Sequence, residues 1–477
     1  MSEDNSSGEQ FDETRRKFLL ATGAIGTAAV AGCVGGDDGD NGTSNGGDNG
    51  TSNGGDEQLV THGRAGTGNT EFDHWTSAFY SPDEGESLQP EAASAMRARF
   101  ETWAEENPEY TANFVYQADL DQWESQLVAR ASNGNAPPSS TLDSIWVPDN
   151  REFLQPLNDY VDDIDDFFPF VQETAMQDGD LLAAWFYTGL RCLYYRTDLV
   201  EQYGDGEAPR TWDDLLTVGS AIAEGEGIDG FTLQMSALDT LPFFWGQGGK
   251  LVNDEGAPVL GNDDNYDALL STFQFFKDLV DQGVTPQRVG NIDDPGQLGQ
   301  EAANGQSAMF IGSNSRYQIS IEPNDDNPER WDVAEIPMPQ PDQFATGVGG
   351  WTEGAYAADG EVSEGAKSLA ASAVTPEAMG RYCEAGSQLP TRESVFEDDE
   401  LFSSDTFRFQ DQFREFLENG VARPSAPIYS QAIEAEWVTA KERVFTGQSS
   451  PEGAVETMLS NINSAYDGDG GGPDYGY

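Results

Sequence analysis

Asn113-Phe114-Val115-Tyr116-Gln117, then residues 123–131, then Thr141-Leu142-Asp143-Ser144-Ile145 read as strand, helix and strand. The outer runs are short and rich in β-branched and aromatic residues, and the middle one repeats apolar residues at helical spacing. Upstream, residues 59–62 predict a strand and 63–73 a polar loop, while Met96, Phe100 and Trp103 recur at helical spacing before Pro108. The order is β-α-β-α-β. Such alternation builds a parallel sheet with helices on its faces, an α/β class.

The same grammar continues downstream. Thr211-Trp212-Asp213-Asp214 opens a helix, with Thr211 as cap, Asp214 answering three residues later, and Leu215, Val218 and Ile222 on one face. Residues 262–281 carry Leu269, Phe273, Phe276 and Val280 on a stripe, and strands return at 308–311 and 333–336. Thr375-Pro376-Glu377 and Ser450-Pro451-Glu452 are helix starts with proline in the first turn.

The 477 residues hold 24 Lys and Arg against 85 Asp and Glu, a net charge of -61, yet 11% are aromatic. That aromatic content is far too high for a disordered polyanion, so most of the chain folds. The charge repels phosphate backbones and anionic lipid surfaces, which argues against nucleic acid as a partner and against direct membrane docking. Acids spread along the whole chain, with 5 Lys beside 19 Arg, match the protein style of halophilic archaea.

The N-terminus reads as an address. Thr14-Arg15-Arg16-Lys17-Phe18-Leu19 forms a twin-arginine export motif, and the apolar run 18–31 is too short to span a bilayer. It ends in Val30-Ala31-Gly32-Cys33, a lipobox-like site that makes Cys33 the lipid-modified first residue of the mature chain. Residues 1–32 are thus an expected signal, 33–58 a flexible Gly/Asp/Asn/Ser/Thr tether, and 467–477 a disordered tail. The expected location is the outer face of the cell membrane. Cys192 and Cys383 are the remaining cysteines and allow at most one bridge.

Catalytic constellations are mostly absent from the sequence, and among 85 acids a glycosidase-type carboxylate pair is uninformative. His62 and His74 lack metal-ligand spacing, there is no Gly-x-Ser-x-Gly elbow, and Gly246-Gln247-Gly248-Gly249-Lys250-Leu251 lacks the hydroxyl of a phosphate loop. Neither a metal nor a cofactor is expected.

Several motifs in order resemble the extracellular solute-binding proteins of ABC importers, the sugar-binding family that includes maltose- and trehalose-binding proteins. They include Leu142-Asp143-Ser144-Ile145-Trp146, Leu157-Asn158-Asp159-Tyr160-Val161, Leu193-Tyr194-Tyr195-Arg196-Thr197-Asp198-Leu199 and Gly305-Gln306-Ser307-Ala308-Met309. Gly349-Gly350-Trp351, Leu389-Pro390-Thr391-Arg392, Arg423-Pro424 with Tyr429, and Phe445-Thr446-Gly447 complete the series over residues 59–466. The resemblance implies a two-lobed periplasmic-binding-protein-like fold, each lobe a mostly parallel sheet flanked by helices and joined by hinge-crossing strands. It places the first lobe at 59–188 plus 347–393 and the second at 193–341 plus 397–466, with the ligand held in the cleft between them.

On the resemblance, Trp351 stacks on a sugar ring, Asp143 and Arg423 take ring hydroxyls, and Tyr429, Glu71 and Trp245 are further ligand candidates. The physics fits: aromatic faces pack on C–H faces, and charged planar groups take paired hydroxyls. Arg191 departs from the family pattern at the entry to the hinge-crossing strand, and Arg316 lies near Ser313, where some relatives place a cleft Trp. An unpaired buried guanidinium is costly, so Arg191 needs a protein carboxylate, sugar hydroxyls or an anionic ligand as partner.

The function expected is therefore a lipid-anchored, monomeric, non-enzymatic binding protein that delivers a mono- or oligosaccharide to ABC transporter permease subunits. Alternatives are a binding protein for an anionic solute such as a glycerol phosphate ester, and a secreted glycoside hydrolase. The charge yields the first prediction. Lowering salt to ~0.1 M, where the Debye length is ~10 Å, should abolish the near-UV circular dichroism seen in molar salt. An unchanged spectrum would refute the halophilic reading.

Overall fold

The computed structural model describes residues 58–292, 295–403, 408–424 and 426–468. The expected export signal, Cys33, almost all of the tether and most of the tail lie outside them.

Strands β1 (Val60–Thr61), β2 (Arg64–Gly66), β3 (Thr70–Ser77), β4 (Tyr110–Gln117) and β5 (Ser139–Asp143) come first, then a small hairpin, β6 (Met176–Gln177) and β7 (Asp180–Leu181). Strands β8 (Ala184–Gly189), β9 (Arg191–Arg196), β10 (Met309–Ser313), β11 (Trp331–Ala334), β12 (Thr346–Ala355) and β13 (Gly420–Ala422) follow. The first sheet runs β1-β2-β4-β3-β5-β12-β13, with β8 also on β12. The second runs β10-β9-β11.

Both sheets differ from the mostly parallel arrangement expected. In the first, β3 is parallel to β4 and β5, but β12 is antiparallel to β5 and β8. In the second, β10 and β11 are both antiparallel to β9, and parallel pairing survives only as single bridges such as Thr232 with Phe310. The expected loop at 63–73 instead contains β2 and the start of β3, the centre of the first sheet. Phe72 and His74 of β3 are buried, while Glu71 and Asp73 point outward. His74 gives β3 an inward polar residue, hydrogen-bonded through Nδ1 to Ser139 Oγ at 2.9 Å. Burial lowers its pKa to about 4, so the ring is neutral.

The helices form where expected. Helix Pro90–Glu106 buries Met96, Phe100 and Trp103. Helix Leu120–Ser132 is capped by Asp119, which accepts from Gln122 N at 3.1 Å. At helix Trp212–Glu226, Thr211 Oγ1 accepts from Asp214 N and Asp214 accepts from Thr211 N, both at 3.1 Å. Gly227 closes that helix in the left-handed region at φ 72°.

Two hydrophobic cores result, and β9 divides them. Cys192 and Tyr194 belong to the first, Leu193 and Tyr195 to the second, as the two-residue period of a strand requires. The first core also takes Tyr317, Trp331, Phe402, Phe409, Phe413 and Leu417, from stretches the sequence reading assigned to the second lobe. Tyr317 meets Phe409 edge to face at 5.3 Å, which joins those stretches to it. Cys192 and Cys383 are both buried and free.

The lobes communicate through three crossings. At the first, between β8 and β9, Leu190 N donates to Asn314 Oδ1 at 3.1 Å, and Asn314 Nδ2 donates to Ser387 O at 3.1 Å. At the second, leading into β12, Thr346 Oγ1 donates to Arg191 O at 2.6 Å and accepts from Arg191 N at 2.8 Å. The third leaves β13, whose Gly420–Ala422 run parallel to Thr346, Gly347 and Val348.

Within the first lobe, Arg99 of helix Pro90–Glu106 makes a two-pronged pair with Glu353 of β12, both contacts at 2.6 Å, and both residues are buried. Removing one partner of such a pair strands a buried charge at a cost of about 3–5 kcal/mol. Glu353→Gln should therefore lower the urea midpoint by that equivalent in molar salt. A midpoint within experimental error of wild type would contradict the assignment.

Candidate functional site

The site grows from the end of β5. Asp143, the last residue of that strand, caps the short turn Ser144–Trp146 by accepting from Ile145 N at 3.2 Å. Opposite it in register stands Trp351 of β12. Past β13, Arg423 reaches back across the cleft, and its Nη2 lies 3.4 Å from Asp143 Oδ1. Two of the predicted ligand residues thus meet each other. Gly349 lies beside this contact, where a β-carbon would meet Arg423 Nη2 at 3.4 Å, an ordinary van der Waals distance. Gly350, by contrast, is required: a β-carbon would lie 2.0 Å from Tyr187 O.

A small cavity lies beside this pair. Glu124, Ile145 and Asp149 line it from the first lobe, and Pro424, Ala426, Tyr429 and Ser430 from the opposite wall. Tyr429 is 1% exposed, and its hydroxyl faces the Glu434 carboxylate as hydrogen-bond partner. Burial raises its pKa, helped by the Glu434 carboxylate close by. Burial likewise raises Asp143, against the opposing pull of Arg423, and Glu434, again against Arg423. Asp149 is raised to about 6 by burial, with Arg151 pulling the other way. Burial disfavours the Arg423 charge, but Asp143, Tyr429, Glu434 and Glu124 more than offset it and raise that pKa.

Behind Asp143 is an aromatic cluster. Trp351 stacks on Trp123 at 5.6 Å and meets Trp146 edge to face at 5.3 Å and Tyr80 at 5.9 Å. The Nε1 atoms of Trp123 and Trp146 are buried without a partner. Trp351 is only 6% exposed, and one face of its ring is taken by Trp123. The arrangement suits a polar, hydroxyl-rich solute: an ion pair with one unmatched donor, Arg423 Nε, beside a cavity walled in part by Tyr429.

Of the predicted residues, Asp143, Arg423, Tyr429 and Trp351 converge here. Three do not. Glu71 sits near the start of β3, exposed and 3.4 Å from Asn113 Nδ2, whereas Asp143 lies past the far end of the β3–β5 pairing. That separation is roughly 20 Å at 3.3 Å per residue. Trp245 ends helix Pro242–Trp245 and packs in the second core at 8% exposure. Arg191 has the carboxylate partner, since its Nε donates to Asp239 Oδ1 at 2.8 Å and both are buried. Arg316 is also buried, packed against Gly312 and Gly299.

Sequence reasoning missed Trp123, Trp146, Tyr80, Asp149 and Glu434. Trp146 offered a signal, standing three residues beyond the strand-ending Asp143.

Among the described residues no group of His, Cys, Asp and Glu could hold a metal ion, and no helix is long and apolar enough to cross a membrane. Comparison with known proteins bears on the fold and the family. A probable ABC transporter-binding protein of Deinococcus radiodurans is 25% identical over 367 residues, covering 72% of this chain and 83% of that one. The cyclic α-maltosyl-1,6-maltose binding protein of Arthrobacter globiformis superposes with a TM-score of 0.69 at 18% identity, covering 84% of this chain and 100% of that one. The sugar-binding protein MalE of Xanthomonas citri gives a TM-score of 0.69 at 21% identity, covering 84% and 98%. These likenesses establish the two-lobed periplasmic-binding-protein fold. The model for bacterial extracellular solute-binding proteins matches residues 95–408, most of the folded body including β12 and the first two crossings, and it is to this family that the chain belongs.

Proposed function

We propose that this chain is a lipid-anchored, extracellular binding protein that captures a carbohydrate between its lobes and delivers it to an ABC transporter permease. The observation that carries the reading is the Asp143–Arg423 pair beside a small cavity walled by residues of both lobes. Arg423 Nε is a buried donor without a partner, while the Tyr429 hydroxyl in the cavity wall pairs with Glu434. Such a donor costs free energy until something accepts its hydrogen. A sugar offers many hydroxyls in a small volume, and the Asp143–Arg423 pair takes and gives hydrogen bonds on the same side. Solved structures of the same fold are described as bound to maltose, maltotriose, maltotetraose and acarbose, which supports a carbohydrate here.

In this reading the protein performs no chemistry. Its two lobes, divided as the two cores divide them, with the stretches around Tyr317, Trp331, Phe402 and 409–417 moving with the first, rotate about the crossings, and the ligand favours the closed state by touching both. It acts as a monomer, exported by the twin-arginine route and tethered through Cys33 in a halophilic host. The anionic-solute alternative loses support because Asp239 already neutralises Arg191.

A thermal-shift screen of neutral mono- and oligosaccharides in molar potassium chloride tests the central claim. A true ligand at 100 times its dissociation constant adds about 2.7 kcal/mol. Tyr429→Phe and Asp143→Asn should each weaken that ligand tenfold or more, about 1.4 kcal/mol. No shift with any sugar would end the carbohydrate reading. Anchoring is tested separately: Cys33→Ala should move the protein from the membrane fraction to the medium, and retention would refute the lipid anchor.

A further inference from the structure

We infer that the carbohydrate taken by this cleft is a single sugar ring, held by its hydroxyls between Asp143 and Arg423 with no aromatic side chain stacked on its face. The inference rests on the carbohydrate reading and narrows it to a size class.

Chains of sugar rings need flat faces to lie on. A hydroxyl that leaves water for protein trades one hydrogen bond for another with little net gain, whereas the C–H face of a ring buries apolar surface on an aromatic side chain. The aromatic side chain beside the pair cannot serve in that way. Trp351 stands opposite Asp143 in register and is 6% exposed. Trp123 stacks on it at 5.6 Å, Trp146 meets it edge to face at 5.3 Å, and Tyr80 closes in at 5.9 Å with its ring tilted by 59°. All four side chains belong to the first core. Rotation of one lobe against the other moves them as one body, so opening the cleft leaves Trp351 covered.

The opposite wall offers no substitute. Tyr429 is 1% exposed, sits in the second core and gives its hydroxyl hydrogen to Glu434. The rest of the cavity's apolar lining is aliphatic, from Ile145, Pro424 and Ala426. What stays open at the pair suits one ring. The Asp143 side chain is an acceptor 15% exposed, and Arg423 Nε is a buried donor without a partner. A carboxylate and a guanidinium side by side match two neighbouring hydroxyls. The same two side chains meet at 3.4 Å across the cleft and bring its walls together. A second ring would have to hold those walls apart, bury further hydroxyls where few groups answer them, and find no aromatic face in return. Affinity therefore falls as the sugar chain grows.

The experiment is calorimetry on the full chain in molar potassium chloride. The probes are D-glucose, D-galactose, D-mannose and D-xylose, each as the free sugar, its 1,4-linked disaccharide and its 1,4-linked trisaccharide. In every series that binds, the free sugar should bind at least tenfold tighter than either of its oligomers. A disaccharide or trisaccharide that comes within tenfold of its free sugar, or exceeds it, overturns this inference and leaves the carbohydrate reading intact. No binding by any probe removes both.

Discussion

Strand β12 exchanges backbone hydrogen bonds with β5 and β8 in the first lobe and, through its first three residues, with β13 on the way to the second. Its register sets every functional neighbour named above. Thr346 clasps Arg191, Gly349 lies under Arg423, Trp351 faces Asp143, and Glu353 receives Arg99. A slip of one residue would turn each of these side chains to the opposite face of the sheet. The cleft is therefore less a set of independent residues than the consequence of one strand held by three partners.

The net charge of -61 gives a misleading picture of the interior. Several of the scarce bases are spent inside. Arg99 with Glu353, Arg191 with Asp239 and Arg392 with Asp166 are pairs whose arginine side chains are each at most 7% exposed. Lys441 is fully buried and gives its three hydrogens to Met235 O, Ser236 O and Thr240 Oγ1 at 2.6, 3.0 and 2.9 Å. Buried charge must be matched locally because low-polarity surroundings offer no ions. Surface acids face no such demand and depend on salt for relief. The two halves of the charge inventory thus answer to different physics.

Much of this was legible in the sequence, for reasons that also explain the gaps. Helices such as Trp212–Glu226 announce themselves through local chemistry, a cap and an apolar stripe. Strand β3 did not, because Glu71 and Asp73 on its outer face and the inward His74 read together as a polar loop. Asp143, Arg423 and Tyr429 could be placed near one another by resemblance to a family whose motifs they share. Glu71 could not be excluded, since which end of a sheet a residue occupies depends on pairing and not on local pattern. The partner of Arg191 was open for the same reason: Asp239 is one acid among 85. Trp123 passed as an ordinary core residue because its significance comes from Trp351 and from an indole nitrogen left unmatched.

The pairing of Arg99 with Glu353 also sets a timetable for synthesis. The ribosome makes β3, β4 and β5 early, yet their sheet is completed by β12, and Arg99 waits for a carboxylate 254 residues downstream. Until then the edge of β5 is unpaired and a guanidinium has no interior place to go. An unpaired strand edge is a template for association with other chains. The first lobe, though it begins the chain, cannot finish before the second lobe's sheet strands have been made. Such a nascent protein spends most of its translation incomplete, with the edge of β5 exposed throughout.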